Sequence, residues 1–146
     1  MSIIIRKIED HDYENWAELW TGYLAYYKST LPDTIYKTTF KRLLNDEYYD
    51  PRGFLAVEDG KPIGLVHYML HRHCWREEHV VYLQDLFTND NARGKGVGKA
   101  LIEAVYSEAD RLGTPTVYWN TEDFNHRAHR LYDYVAKRTP FIKYQR

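Results

Sequence analysis

The sequence predicts an α/β fold built on a mixed sheet, and three observations predict it. Short apolar runs of strand type alternate with segments whose apolar residues recur at helical spacing. Their order is one strand, two helices, three strands, a helix, a strand, a helix and a short final strand, an arrangement of α/β type. At 146 residues, of which 44% are hydrophobic, the chain can bury one proper core, so residues 1–146 are expected to form a single domain.

Residues 3–8, rich in isoleucine, read as the first strand, and the aspartates at 10 and 12 offer cap-type side chains for a helix. That helix carries an aromatic stripe. Trp16, Leu19, Trp20, Tyr23, Leu24 and Tyr27 recur at spacings of three and four before Lys28, Ser29 and Pro32 end the pattern. Asp33 and Thr34 are positioned to cap a second helix with Ile35, Tyr36, Phe40, Leu43 and Leu44 on its apolar side, and Pro51 and Gly53 close the segment that follows. Residues 54–58 and 63–70 are strands around Asp59-Gly60, a pair that accepts the positive φ of a tight hairpin, so they should pair antiparallel. A third strand over 80–88 leads into a polar loop and a glycine-rich segment. The helix that begins there has Val97, Leu101, Ile102, Val105, Tyr106 and Ala109 on one side and Gly113 as its stop. A strand over 116–120, a helix capped by Asn125 and running to about Val135, and a short strand within 140–144 complete the chain.

Composition removes several function classes. Lys and Arg total 20 against 21 for Asp and Glu, so no global field draws the protein to nucleic acid or to an anionic membrane. The apolar run at the start is too short for a signal peptide and no later stretch can span a bilayer, which predicts a cytoplasmic protein. Cys74 is the single cysteine, which excludes an internal disulfide. His71, His73, Cys74 and His79 flank a turn at a spacing that fits no familiar structural zinc pattern, and no metal is expected. His126 and His129 read as surface neighbours on a helix. Fourteen tyrosines suit a lined cleft or an interface, and equally ordinary packing.

The segment Arg93-Gly94-Lys95-Gly96-Val97-Gly98 lies between a strand and a helix, where unpaired amides and the helix dipole favour an anion. Spacing separates the ligands that use this physics. A nucleoside-triphosphate loop requires Ser or Thr after Gly-Lys and an earlier glycine; Ala100 follows Gly98-Lys99 and Arg93 holds the earlier position. A dinucleotide loop requires a third glycine where Lys99 stands.

What the segment does fit is Arg-x-x-Gly-x-Gly, and there the chain resembles the GNAT superfamily of N-acetyltransferases. Residues 82–87 before the loop, 108–115 after it, 117–119 and Asn125-His126-Arg127-Ala128 widen the resemblance, which looks closest to the yeast-type histone and polyamine N-acetyltransferase group. The resemblance implies a mixed, mostly antiparallel sheet flanked by about four helices, with acetyl-CoA as cosubstrate. It places backbone groups of Leu86, Phe87 and Thr88 against the pantetheine arm and the pyrophosphate on the amides from Gly94 through Lys95, Gly96, Val97 and Gly98 to Lys99. Arg93 and Lys99 add charge at the rim, and Asn125 matches a cofactor-contacting asparagine that can also cap its helix. Tyr132 stands about two helical turns beyond Asn125 and matches the family's tyrosine that hydrogen-bonds the departing CoA thiolate, so it is the expected catalytic residue and a cofactor contact.

The acceptor amine must lose a proton before it attacks a thioester, because an alkylamine has a pKa near 10 (about 10.4 for lysine). Asp85 is the leading carboxylate, as a base through water or as an anchor for a cationic substrate; Glu122 and Asp123 come second. The neutral Gln84 stands where polyamine-specific relatives tend to carry acid. A free polyamine would want several acids along its cleft, with Asp46, Glu47 and Asp50 as further candidates. The function implied is acetyl transfer from acetyl-CoA to a primary amine of a polyamine, an amino acid or a protein lysine, by direct attack in a ternary complex; the alternative is an acetyl-CoA-binding sensor. Where many relatives carry Gly-Phe shortly after the tyrosine, this chain has residues 135–141, so the last strand is open to pairing with another subunit and a homodimer is expected.

Overall fold

Alternating side chains near the start form β1 (Ile3–Lys7), an edge strand of the five-stranded sheet in a computed structural model that describes residues 2–45 and 47–146. The sheet order is β1-β2-β3-β4-β5, with β2 (Arg52–Glu58), β3 (Lys61–His71), β4 (Val80–Thr88) and β5 (Val117–Tyr118). The first four strands pair antiparallel and β5 joins β4 in parallel, which is the mixed, mostly antiparallel sheet expected. Among the described residues four α-helices accompany it: α1 (Tyr13–Tyr26), α2 (Asp33–Leu43), α3 (Val97–Arg111) and α4 (His126–Val135).

Because strand side chains alternate between faces, the sheet carries a core on each side. On one face Trp16, Leu19 and Trp20 of α1 and Phe40 and Leu43 of α2 pack with Leu55, Val57 and Leu65. On the other, Leu101, Ile102 and Val105 of α3 pack with Ala56, Val66 and Val81, and Leu131, Tyr132 and Val135 of α4 join them. The aromatic stripe read from the sequence is therefore a packed face as far as Trp20, and beyond that it reaches the site.

The start of α1 is fixed by Asp12, whose side chain returns to the Glu9 amide at 2.7 Å and takes both guanidinium nitrogens of Arg6, at 2.7 and 2.9 Å. Hydrogen bonding from Arg6 holds this buried carboxyl below the usual carboxylate range. The hairpin between β2 and β3 turns through Asp59 at φ 51° and Gly60 at φ 79°, as the Asp-Gly pair predicts.

Several boundaries differ from expectation. Asp33 does not cap α2: it lies inside the first turn after Pro32 and pairs with Lys37 at 3.1 Å, the i,i+4 contact competing for its carboxylate. Gly53 sits within β2 rather than closing a loop, and the position takes glycine because a Cβ there would lie 2.7 Å from Ile8 Cδ1 and 2.8 Å from the Val66 carbonyl. The strand foreseen over 116–120 shortens to Val117–Tyr118. The final strand within 140–144 does not form; Pro140 has no N–H to give, and the two-residue β5 offers too short an edge for a ladder. Among the described residues no helix is long and apolar enough to cross a membrane.

Candidate active site

The cleft arises from the way β4 and β5 part. Their parallel pairing is confined to Val81 with Val117 and Tyr82 with Tyr118, whereas β4 continues to pair with β3 as far as Thr88 opposite Gly64. From Leu83 onward one edge of β4 therefore faces a cavity instead of a strand. That cavity measures about 440 Å³, and Leu86, Phe87 and Thr88 line it together with the glycine-rich loop and the start of α4. A bulge lies within the same stretch: Tyr68 pairs with Leu83 and His67 with Asp85, leaving Gln84 as the extra residue. Bulges re-aim neighbouring side chains, and here Gln84 is exposed while Asp85 is buried.

At the end of the cavity Gly94 has φ 83° and Gly96 φ 77°, and Gly96 precedes α3 as its left-handed N-cap. No side chain caps α3, so its first amides keep their donors for a ligand. A Cβ at Gly94 or Gly96 would meet nothing within 4 Å, so the space over the loop is open. Arg93, Gly94, Gly96, Val97 and Gly98 line the cavity, and Arg93 is steadied by Asp90 at 3.1 Å. The side chains of Lys95 and Lys99 lead elsewhere: Lys95 pairs with Glu58 at 3.1 Å, and Lys99 lies 5.2 Å from the Tyr134 ring centre and 3.9 Å from Glu103. On the loop side the cradle is thus backbone and glycine with Arg93 at its rim, and Arg127 of α4 lines the same cavity.

Across the cavity, the Asn125 side chain accepts from the Ala128 amide at 3.3 Å, capping α4, and Asn125 also lines the cavity. Tyr132 lines it too, its ring edge-on to Trp119 at 5.3 Å. Burial pushes the Tyr132 hydroxyl up from about 10 to about 12, helped by Tyr27 and Tyr26 on the facing end of α1.

A second cavity of about 320 Å³ adjoins the first, sharing Tyr23, Tyr27 and Gln84 with it. Its other walls are Trp20, Leu24, Leu31 and Asp85. Asp85 Oδ2 lies 2.8 Å from His67 Nδ1 and accepts from Trp20 Nε1 at 3.3 Å, while Trp16 Nε1 donates to His67 Nε2 at 2.9 Å. Burial raises the Tyr23 hydroxyl far above its usual range, and the nearby Asp85 charge adds to it. Of the acids considered from sequence, Asp85 alone lines either cavity; Glu47, Asp50, Glu122 and Asp123 do not, and Asp46 lies outside the described residues. Among the described residues no group of three or more His, Cys, Asp or Glu is placed to hold a metal ion.

Sequence reasoning did not find His67 or the paired indoles. One signal was present: His67 interrupts an otherwise apolar strand, and Trp16 and Trp20 stand one helical turn apart. Their meeting requires α1 to cross the β3–β4 pair, which no local pattern encodes. Tyr26 was likewise outside the stripe, yet it lines the first cavity.

Comparison with known proteins adds four findings. The family model described as acetyltransferase (GNAT) family matches residues 13–134. The D-amino-acid N-acetyltransferase HPA3 of Saccharomyces cerevisiae is 45% identical over 146 residues, covering 99% of this chain and 90% of that protein. Among solved structures, aminoglycoside acetyltransferase AAC(6')-Iy in complex with a bisubstrate analogue superposes with a TM-score of 0.87 at 22% identity, covering 100% of this chain and 98% of that one. A ribosomal-protein-alanine N-acetyltransferase from Brucella melitensis biovar Abortus 2308 gives 0.82 at 21% identity, with 99% and 98% covered. At such identities the structures speak for the fold alone.

Proposed function

The chain belongs to the acetyltransferase (GNAT) family and is an acetyl-CoA-dependent N-acetyltransferase; from that premise we propose that its acceptor is the single amino group of a small molecule, an amino acid of the D series first among them. The observation that carries this reading is the second cavity, with one buried carboxylate among aromatic and aliphatic walls. One acid suits one ammonium group. A polyamine offers several, and among the described residues the lining provides no second carboxylate for them. The preference for the D series is supported by the likeness to the yeast enzyme.

In this reading the pantetheine arm lies along the free edge of β4 at Leu86 to Thr88, and the pyrophosphate rests on the amides at the start of α3 with Arg93 at the rim. The groups that would hold acetyl-CoA fit it: an unpaired strand edge, an open glycine turn and an uncapped helix start. Asn125 serves both as cap and as cofactor contact. Asp85 anchors the ammonium form of the acceptor, which gives one proton to water and then attacks the thioester carbonyl. The C–N bond forms, the C–S bond breaks, and the sulfur leaves as thiolate beside the Tyr132 hydroxyl. The second proton of the amine ends on that sulfur, so the products are amide, CoA thiol and one proton.

An acceptor panel tests the reading by following CoA release with D- and L-leucine, D- and L-lysine, spermidine and a histone-tail peptide. The expected result is a kcat/KM for a D-amino acid at least about tenfold above those for spermidine and the peptide, the scale that one matched charge contact supplies. Turnover that favours spermidine or the peptide contradicts it.

We also propose a homodimer built on the C-terminal segment. Phe141, Ile142 and Tyr144 are 87%, 77% and 89% exposed, a density of apolar side chains that water does not favour. Removing residues 140–146 is expected to convert a dimer to a monomer in sedimentation equilibrium; a monomer with the intact chain counts against it.

A further inference from the structure

Trp16, His67 and Asp85 form a chain whose proton positions follow from chemistry. An indole N–H only donates, so the His67 Nε2 that receives it at 2.9 Å carries a lone pair. The ring's proton is then on Nδ1, which donates to Asp85 Oδ2 at 2.8 Å. A ring that accepts at one nitrogen and donates at the other is neutral. The Trp20 N–H reaches the same oxygen, leaving Oδ1 of Asp85 without either of these donors. Trp16 and His67 are 0% and 2% exposed, so water does not compete for these bonds.

The arrangement has a further feature. Trp16 and Trp20 stand one turn apart and stack at 5.2 Å, so that their two N–H groups address the two members of a cross-strand pair. Tyr36 of α2 packs edge-on against both indoles and helps fix them. The titratable groups around the pair are Asp85 on β4, Tyr23 on α1, Tyr27 just after it and Tyr36 on α2; Gly53 of β2 approaches the His67 ring with no side chain at all.

Resting on the acceptor site proposed above, we propose that the Trp16 N–H, by occupying His67 Nε2, keeps His67 uncharged, so that Trp16, His67 and Trp20 act as positioning residues holding an uncompensated carboxylate for an ammonium-bearing acceptor. A protonated His67 would cancel the charge of Asp85 and leave the cavity without net attraction for a cation. Trp16 thus excludes the acid form of the histidine by hydrogen bonding, not merely by filling space.

The test uses n-butylamine, an ammonium ion with no other charge, as acceptor between pH 5.5 and 8. Trp16→Phe frees Nε2 to take a proton, so its KM for n-butylamine is expected to rise by about tenfold per pH unit on the acid side, with kcat at saturation within about twofold of the wild type. Trp16→Phe combined with His67→Gln has no titrating ring and is expected to lose that acid limb; wild type shows none. A Trp16→Phe profile that parallels the wild type, or a limb that survives in the double variant, overturns the proposal. Since Trp16 is a core residue, nitrogen NMR of the wild-type imidazole provides an arm that needs neither a variant nor turnover. Nδ1 protonated and Nε2 unprotonated throughout this range is expected, and a doubly protonated ring or a proton on Nε2 overturns it. Absence of turnover with every amine defeats the acceptor reading, and the tautomer is still decided by the spectrum.

Discussion

Tyr132→Phe is expected to lower kcat by about a hundredfold, the loss found when one donor to a developing anion is removed, while the KM for acetyl-CoA stays within about twofold. The reason lies in when charge appears. The thioester sulfur accepts hydrogen bonds poorly, whereas the departing thiolate accepts them well, so a donor at Tyr132 acts on the transition state and not on binding. A hydroxyl raised to about 12 by burial also makes full proton transfer to a thiolate of pKa about 8.5 uphill by about 5 kcal/mol, so the role proposed for the tyrosine is that of a hydrogen-bond donor. The same burial fixes its pH behaviour. Because the folded value lies above the unfolded one, the neutral donor and its contribution to stability are intact below about pH 10 and are lost as pH rises towards about 12. Deprotonation of Tyr132 therefore gives kcat no alkaline limb below about pH 10. Steady-state kinetics with Phe at this position decide the matter; an unchanged kcat removes Tyr132 from the chemistry.

Gly96→Val is expected to raise the KM for acetyl-CoA by roughly thirtyfold, about 2 kcal/mol, through a misplaced amide and a side chain over the phosphate. Gly60 provides the control. Both glycines have nearly equal positive φ, 77° and 79°, and neither would bring a Cβ within 4 Å of anything. Gly60→Val at the β2–β3 turn should therefore lose similar stability, about 1–2 kcal/mol by thermal or urea unfolding, without a change in KM. Equal effects of the two substitutions on KM would reduce the loop to a structural turn.

The glycine-rich turn and the Asn125 cap were legible in the sequence as local patterns, whereas Tyr132 was singled out only through the family resemblance, its spacing saying no more than that it shares a helix face with Asn125. Their meeting at one cavity follows from β5 pairing with β4 for only two residues, which composition does not reveal. Asp85 was identified as an acid near the site, but its surroundings were not, because His67 and the two indoles come from α1 and β3, 18 to 69 residues away in the chain. Lys99 was expected to add charge at the rim from its place in the motif, and the sequence did not show that its side chain lies near Tyr134, distant in the chain, and Glu103. The end of the chain was misread as a strand because apolar residues in an extended run look alike whether or not a partner edge exists.

Initial velocities with acetyl-CoA and D-leucine varied against each other test the central claim most directly. Direct attack by a small acceptor in a ternary complex predicts reciprocal plots that intersect, with one CoA released for each N-acetylated product. Parallel lines, or no CoA release with this or any other amine of the panel, contradict it.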